Sequence, residues 1–116
     1  GTLAALCLLA SGASRAEGAF AQAIEALGEY NYPKAVPALR TAAEEGDVRA
    51  QEILAFTLLH GEALFSGVAP DRVEAMQWFA RAAAGGSDVA RQLLRAWARR
   101  GHADAQQVLP SAGMRP

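Results

Sequence analysis

The chain has 116 residues, 52% hydrophobic but only 7% aromatic, with a formal net charge of -1 from 11 Lys+Arg and 12 Asp+Glu. That length suits one small domain with a modest core, and the balanced charge removes the electrostatic case for nucleic acid or an anionic membrane as main partner. A single cysteine, Cys7, excludes an internal disulfide framework and any zinc site built from several cysteines.

Much of the apolar content is alanine and β-branched residues are few, so helix is expected throughout. Residues 2–10 form an uncharged apolar run, too short to cross a bilayer as a helix, and small residues follow it from Ser11 to Ala16. Two readings stand. The run resembles the apolar and cleavage regions of a secretory signal peptide, with Ser14 and Ala16 as the small pair before a cut. Residues 1–16 are then a leader remnant and the mature chain is periplasmic or secreted. Otherwise the run is a helix packed on the first repeat, and the chain is cytoplasmic.

Beyond it, helices are predicted at about 17–30, 33–45, 47–64, 72–85, 87–100 and 102–109. Gly46, Gly86 and Gly101 fall just past helix ends, where a left-handed residue is needed. Asn31, Asp47, Asp71 and Ser87 with Asp88 are N-caps, and Glu74 completes a capping-box spacing with Asp71. Short turns make successive helices antiparallel neighbours. Residues 110–116 hold two prolines, a serine and a glycine and read as a disordered tail.

The chain also repeats itself. Ala35, Ala42, Ala43, Gly46 and Ala50 recur 40 residues later as Ala75, Ala82, Ala83, Gly86 and Ala90. A third, partial copy begins at Gly101, where Gly101-His102-Ala103-Asp104-Ala105-Gln106 echoes Gly46-Asp47-Val48-Arg49-Ala50-Gln51. The paired alanines are small residues on helix faces that a neighbouring helix crosses closely. Two-helix units in series make an all-α chain in which each unit contacts mainly its neighbours, a short α/α solenoid over residues 17–109.

The run from Ala50-Gln51 through Leu54, Leu58 and Gly61 resembles the Sel-one-like repeat. So does the stretch Gly67-Val68, Asp71, Ala75, Trp78-Phe79, Ala82-Ala83, Gly86 and Ala90. That family is a relative of the tetratricopeptide repeat with longer units, and a step of 40 suits it better than a 34-residue unit. The likeness covers about residues 19–109. It departs where Ala55 and Leu58 stand for the usual glycine and tyrosine. Gly61 and Gly67 are also further apart than usual, by roughly one helical turn, which a longer first helix accommodates without rotating its faces. The resemblance implies a right-handed superhelix of antiparallel helix pairs and a protein-interaction role, here in a bacterial envelope. The first helix of each pair would line a concave face. On that analogy Ala50, Leu54, Ala55 and Leu58 face the core, while Arg49, Glu52, Ile53, Phe56 and His60 face the groove. Gln92, Leu93, Ala96, Arg99 and Arg100 correspond to them in the last pair. Glu52, Ile53, Phe56, His60, Gln92 and Arg99 are the candidate partner-binding residues, with Ile53 and Phe56 as exposed apolar anchors.

A catalytic constellation does not stand out, so no enzyme activity, metal or cofactor is expected. His60 and His102 lie in different repeats without a second ligand at metal spacing. Glu44 and Glu45 are consecutive helical positions that point apart. Gly85-Gly86 lacks the lysine and spacing of a phosphate loop. Trp78, Phe79 and Trp97 read as core. Arg91, Arg95, Arg99 and Arg100 make a basic stripe, either a solvated face or a surface for an acidic partner segment. Two other roles stand beside binding a protein or peptide: an enzyme or accessory that modulates an envelope hydrolase, and self-association through open solenoid ends.

Overall fold

The computed structural model describes residues 2–115, with side chains from Arg15 onward. The leader expectation for residues 1–16 therefore falls largely outside the described side chains. Among the described residues the fold is all-helical, with six α-helices and no strand. They are α1 (Thr2–Gly28), α2 (Tyr32–Glu44), α3 (Val48–His60), α4 (Arg72–Ala84), α5 (Asp88–Arg99) and α6 (Ala103–Val108). Neighbours in sequence are neighbours in space: α2 packs on α1 and α3, α4 on α3 and α5, and α6 on both α4 and α5. Such packing of adjacent helices is consistent with a helical repeat.

Alanine makes the close packing possible. Ala35, Ala42, Ala43 and Ala50 are fully buried, and so are Ala75, Ala82, Ala83 and Ala90 one repeat later. A methyl group at each crossing lets the backbones approach while leaving no void for a larger side chain to fill. Larger buried side chains, chiefly Leu39, Leu54, Met76, Phe79 and Leu94, fill the space between those crossings.

The turns repeat as closely as the alanines do. Gly46 N–H donates to the Ala43 carbonyl (3.0 Å) and Asp47 N–H to Ala42 (3.1 Å). Gly86 and Ser87 bond to Ala83 and Ala82 in the same way, and Gly101 and His102 to Ala98 and Trp97. This pair of bonds is the Schellman ending, which requires a left-handed residue at its fifth position. An amide or guanidinium one helix on then caps the same carbonyl again. Gln51 Nε2 donates to Ala43 O (3.0 Å), Arg91 Nε to Ala83 O (3.3 Å) and Gln106 Nε2 to Ala98 O (2.9 Å). The third turn nevertheless comes after one helix, α5, rather than after two, so it repeats the turn without repeating the 40-residue step.

The first turn is built on Tyr30, whose N–H bonds to Leu27 while that of Asn31 bonds to Ala26. Tyr30 is the one non-glycine residue with positive φ (58°) among the described residues, and it is largely exposed. Its left-handed strain is roughly 1–2 kcal/mol, against about 0.5–1 kcal/mol of extra chain entropy lost by a glycine. Tyr30→Gly is accordingly expected to raise the urea midpoint, by about 0.5 kcal/mol of stability. A fall in stability would show that the edge-on contact of Tyr30 with Tyr32 (6.4 Å) outweighs the strain.

Two expectations are corrected. The first is that α3 runs on to residue 64. It stops at His60, and Gly61–Ala63 form a separate 3-10 turn, because Gly61 leaves helical space at φ 51°, ψ -138°. The second is the disordered tail. Ala112 is fully buried, and its N–H bonds to the carbonyls of Val108 and Leu109. Gly113 and Met114 close another Schellman turn on Pro110 and Leu109. Pro110 has no N–H to donate to the helical ladder, which is where α6 ends as a regular helix while the chain continues to coil.

Candidate functional site

The cap and ion-pair network fixes how the helices present their outer surfaces. Asp47 accepts from the Arg49 and Ala50 N–H groups (3.0 and 3.3 Å) and from the Arg49 guanidinium (2.8 Å). That guanidinium holds the Asp47 carboxyl below its ordinary value; partial burial opposes the shift and the backbone bonds add to it. The Arg49 guanidinium also lies 4.1 Å from the ring centre of Phe20 in α1. Arg49 is thus taken up in joining α1 to α3. Asp71 caps α4 by accepting from Glu74 N–H (3.0 Å), but Glu74 does not complete the capping box. Its carboxylate instead accepts from Arg40 of α2 and from Trp78 Nε1.

At the other end, Arg72 of α4 pairs with Asp104 of α6, and this guanidinium holds the Asp104 carboxyl below its ordinary value. Both aspartates have folded values below the unfolded 3.8. A depressed carboxylate stabilises fully above its unfolded value and loses that contribution as pH falls through the folded one. Stability measured by urea melts is expected to be level near neutrality and to decline below about pH 4. Asp104→Asn should flatten part of that decline. An unchanged acid limb in this variant would remove the Arg72–Asp104 pair as a tie for α6.

Of the candidate partner-binding residues, Glu52, Ile53, Phe56 and His60 share one stripe of α3, and Gln92 and Arg99 lie on α5. Glu52 is half-buried; His60, Gln92 and Arg99 are exposed. Ile53 and Phe56 are not the exposed anchors expected, for both are half-buried and packed on the core. The reason is aromatic. Phe56 meets Phe79 of α4 edge to face (5.1 Å, 89°), and Phe79 meets Trp97 of α5 (5.3 Å, 68°). His60 lies parallel to the Phe56 ring at 6.4 Å. Phe56 of α3 and Trp97 of α5 are therefore linked through the buried Phe79. The three cavities described below are lined by none of Glu52, Ile53, Phe56, His60 and Gln92.

Arg99 does line one. A cavity of about 400 Å³ opens between α5, α6 and the tail, lined by Arg95, Ala98, Arg99, Gln106, Leu109, Met114 and Arg115. Sequence reasoning reached only the α5 side of it. The α6 and tail residues were hidden by the proline and serine content of residues 110–116, although Gly113 stands where another cap glycine would be. Two further surface pockets lie elsewhere: one between α1 and α2, one between α2 and the α3–α4 loop. Among the described residues no group of three or more His, Cys, Asp or Glu is placed to hold a metal ion, and no helix is long and apolar enough to cross a membrane.

The chain matches no protein-family model, and no curated protein or solved structure matches it.

Proposed function

We propose that this chain is a short Sel-one-like solenoid, with a right-handed superhelix of helix pairs, that binds a partner protein or peptide without catalysing a reaction. One observation carries the reading. The 40-residue repeat of the sequence coincides with a repeat of structure, in which identical alanines are buried and Gly46 and Gly86 close the same turn. Units built that way present their first helices side by side as an extended surface. Here those helices are α1, α3 and α5. The α3 stripe of Glu52, Ile53, Phe56 and His60 is the central patch, with half-buried apolar groups between polar ones. Ile24 of α1, 45% exposed, adds an apolar group on the first helix. With residues 1–16 read as a leader, this adaptor or scaffold role lies in a bacterial envelope.

The test is affinity capture from an envelope extract with the wild type and with Glu52→Lys plus His60→Asp. Neither side chain is deeply buried, so the fold should survive. The variant is expected to lose the wild type's specific partner. Equal capture by both would remove the α3 patch as the binding surface, and a mass rising with concentration in light scattering would favour self-association instead.

A further inference from the structure

The cavity at the C-terminal end differs from the rest of the surface in its charge. Residues 87–116 carry five of the 11 Lys+Arg but only two of the 12 Asp+Glu. Apart from exposed Arg100, the arginines away from the cavity have partners among the described residues. Arg15, Arg40, Arg49 and Arg72 pair with carboxylates, Arg81 lies over the Trp78 ring (4.6 Å), and Arg91 donates to a carbonyl. The guanidinium groups of Arg95, Arg99 and Arg115 have no such partner among the described residues, and these are the three arginines that line the cavity. Arg95 and Arg99 are one turn apart on α5, a like-charge spacing that is unfavourable in a helix until an anion lies between them. Beside the arginines, Ala98, Leu109 and Met114 supply an apolar lining. The volume lies within the range of ligand-sized sites, roughly 300–1,000 Å³.

We infer that this cavity docks an acidic, aliphatic peptide segment of a partner protein, with carboxylates on Arg95, Arg99 and Arg115 and an aliphatic side chain against Leu109 and Met114. Guanidinium matches a planar carboxylate by paired N–H donors, and the apolar lining separates such a segment from a plain polyanion. This deepens the binding reading but does not depend on the α3 patch.

The experiment is fluorescence anisotropy of a labelled peptide of alternating Asp and Leu, titrated with the full chain at low salt and again at high salt. Binding is expected at low salt, weakened by added salt. Arg95→Glu plus Arg99→Glu should weaken it by more than roughly tenfold. Lys34→Glu, a charge reversal on distant α2, should change it less than about twofold. Both arginines are exposed, and a circular-dichroism melt confirms that each variant is folded. The inference is overturned if an Asp-Ser peptide binds as well as the Asp-Leu one, since the apolar lining is then unused. It is also overturned if Lys34→Glu weakens binding as much as the arginine changes, or if phosphatidylserine vesicles bind where the peptide does not. Peptide binding that survives Glu52→Lys plus His60→Asp, with partner capture lost, separates failure at this cavity from failure of the α3 patch.

Discussion

Phe79→Ala is expected to remove about a third or more of the stability of this fold. Phe79 is the largest fully buried side chain among the described residues. Truncating a buried phenylalanine costs about 3–5 kcal/mol, against roughly 5–15 kcal/mol for an entire domain. The upper part of the range applies here. Phe79 is flanked edge to face by Phe56 and Trp97, and such aromatic pairs add about 0.5–1.5 kcal/mol each beyond area burial. Alanine would also leave α3, α4 and α5 without the group at which they meet. Urea melts followed by tryptophan fluorescence and by circular dichroism should both show the loss, with Phe79→Leu intermediate. A loss below about 1 kcal/mol for the alanine variant would mean that the helices close over the gap at little cost.

Gly61→Ala should be the next most damaging change, although it adds only one methyl group, because Gly61 is buried in the turn after α3. A Cβ at this position would lie 2.6 Å from the backbone nitrogen of Pro70 and 2.7 Å from its Cα. Those atoms belong to a loop tied down by Asp71 N–H donating to the Leu58 carbonyl (2.8 Å). They cannot swing aside as the end of a long side chain can. The backbone at φ 51°, ψ -138° adds strain of about 1–3 kcal/mol for any residue with a Cβ, and the overlap adds about 1–3 kcal/mol more. Gly46→Ala is the control. Its φ is 98° but its Cβ meets nothing within 4 Å, so only the backbone strain of about 1–2 kcal/mol is expected. Equal losses at the two positions would show that the approach of Pro70 is not what constrains the turn.

The helices themselves are legible in the chain because their signals are local. Asn31, Asp47, Asp71 and Ser87 each cap the helix they precede, since a short polar side chain beside a free N–H needs nothing from elsewhere in the molecule. The end of α3 was not legible. Glu62, Ala63 and Leu64 suit a helix, but Gly61 leaves helical space there, with its backbone close against Pro70. The tail misled for a related reason. Its composition is that of a linker, but a small residue such as Ala112 fits under α6 once that helix is in place.

The candidate surface divides along the same line. Helical spacing alone puts Glu52, Ile53, Phe56 and His60 on one face, because 3.6 residues per turn is a property of the backbone. Whether Phe56 is free or occupied depends on Phe79, 23 residues away in sequence, whose ring fills the space beside it. Likewise Arg95 and Arg99 share a face by spacing, but only the return of α6 and the tail brings Arg115, Leu109 and Met114 to the same cavity. The sequence by itself determined the all-helical class, the caps and the repeated glycine turns, since each follows from interactions within a few residues, and it marked the alanines by their 40-residue recurrence. The tertiary structure decided where α3 ends, which apolar groups stay exposed and which arginines converge, because contacts between distant residues depend on how whole helices pack.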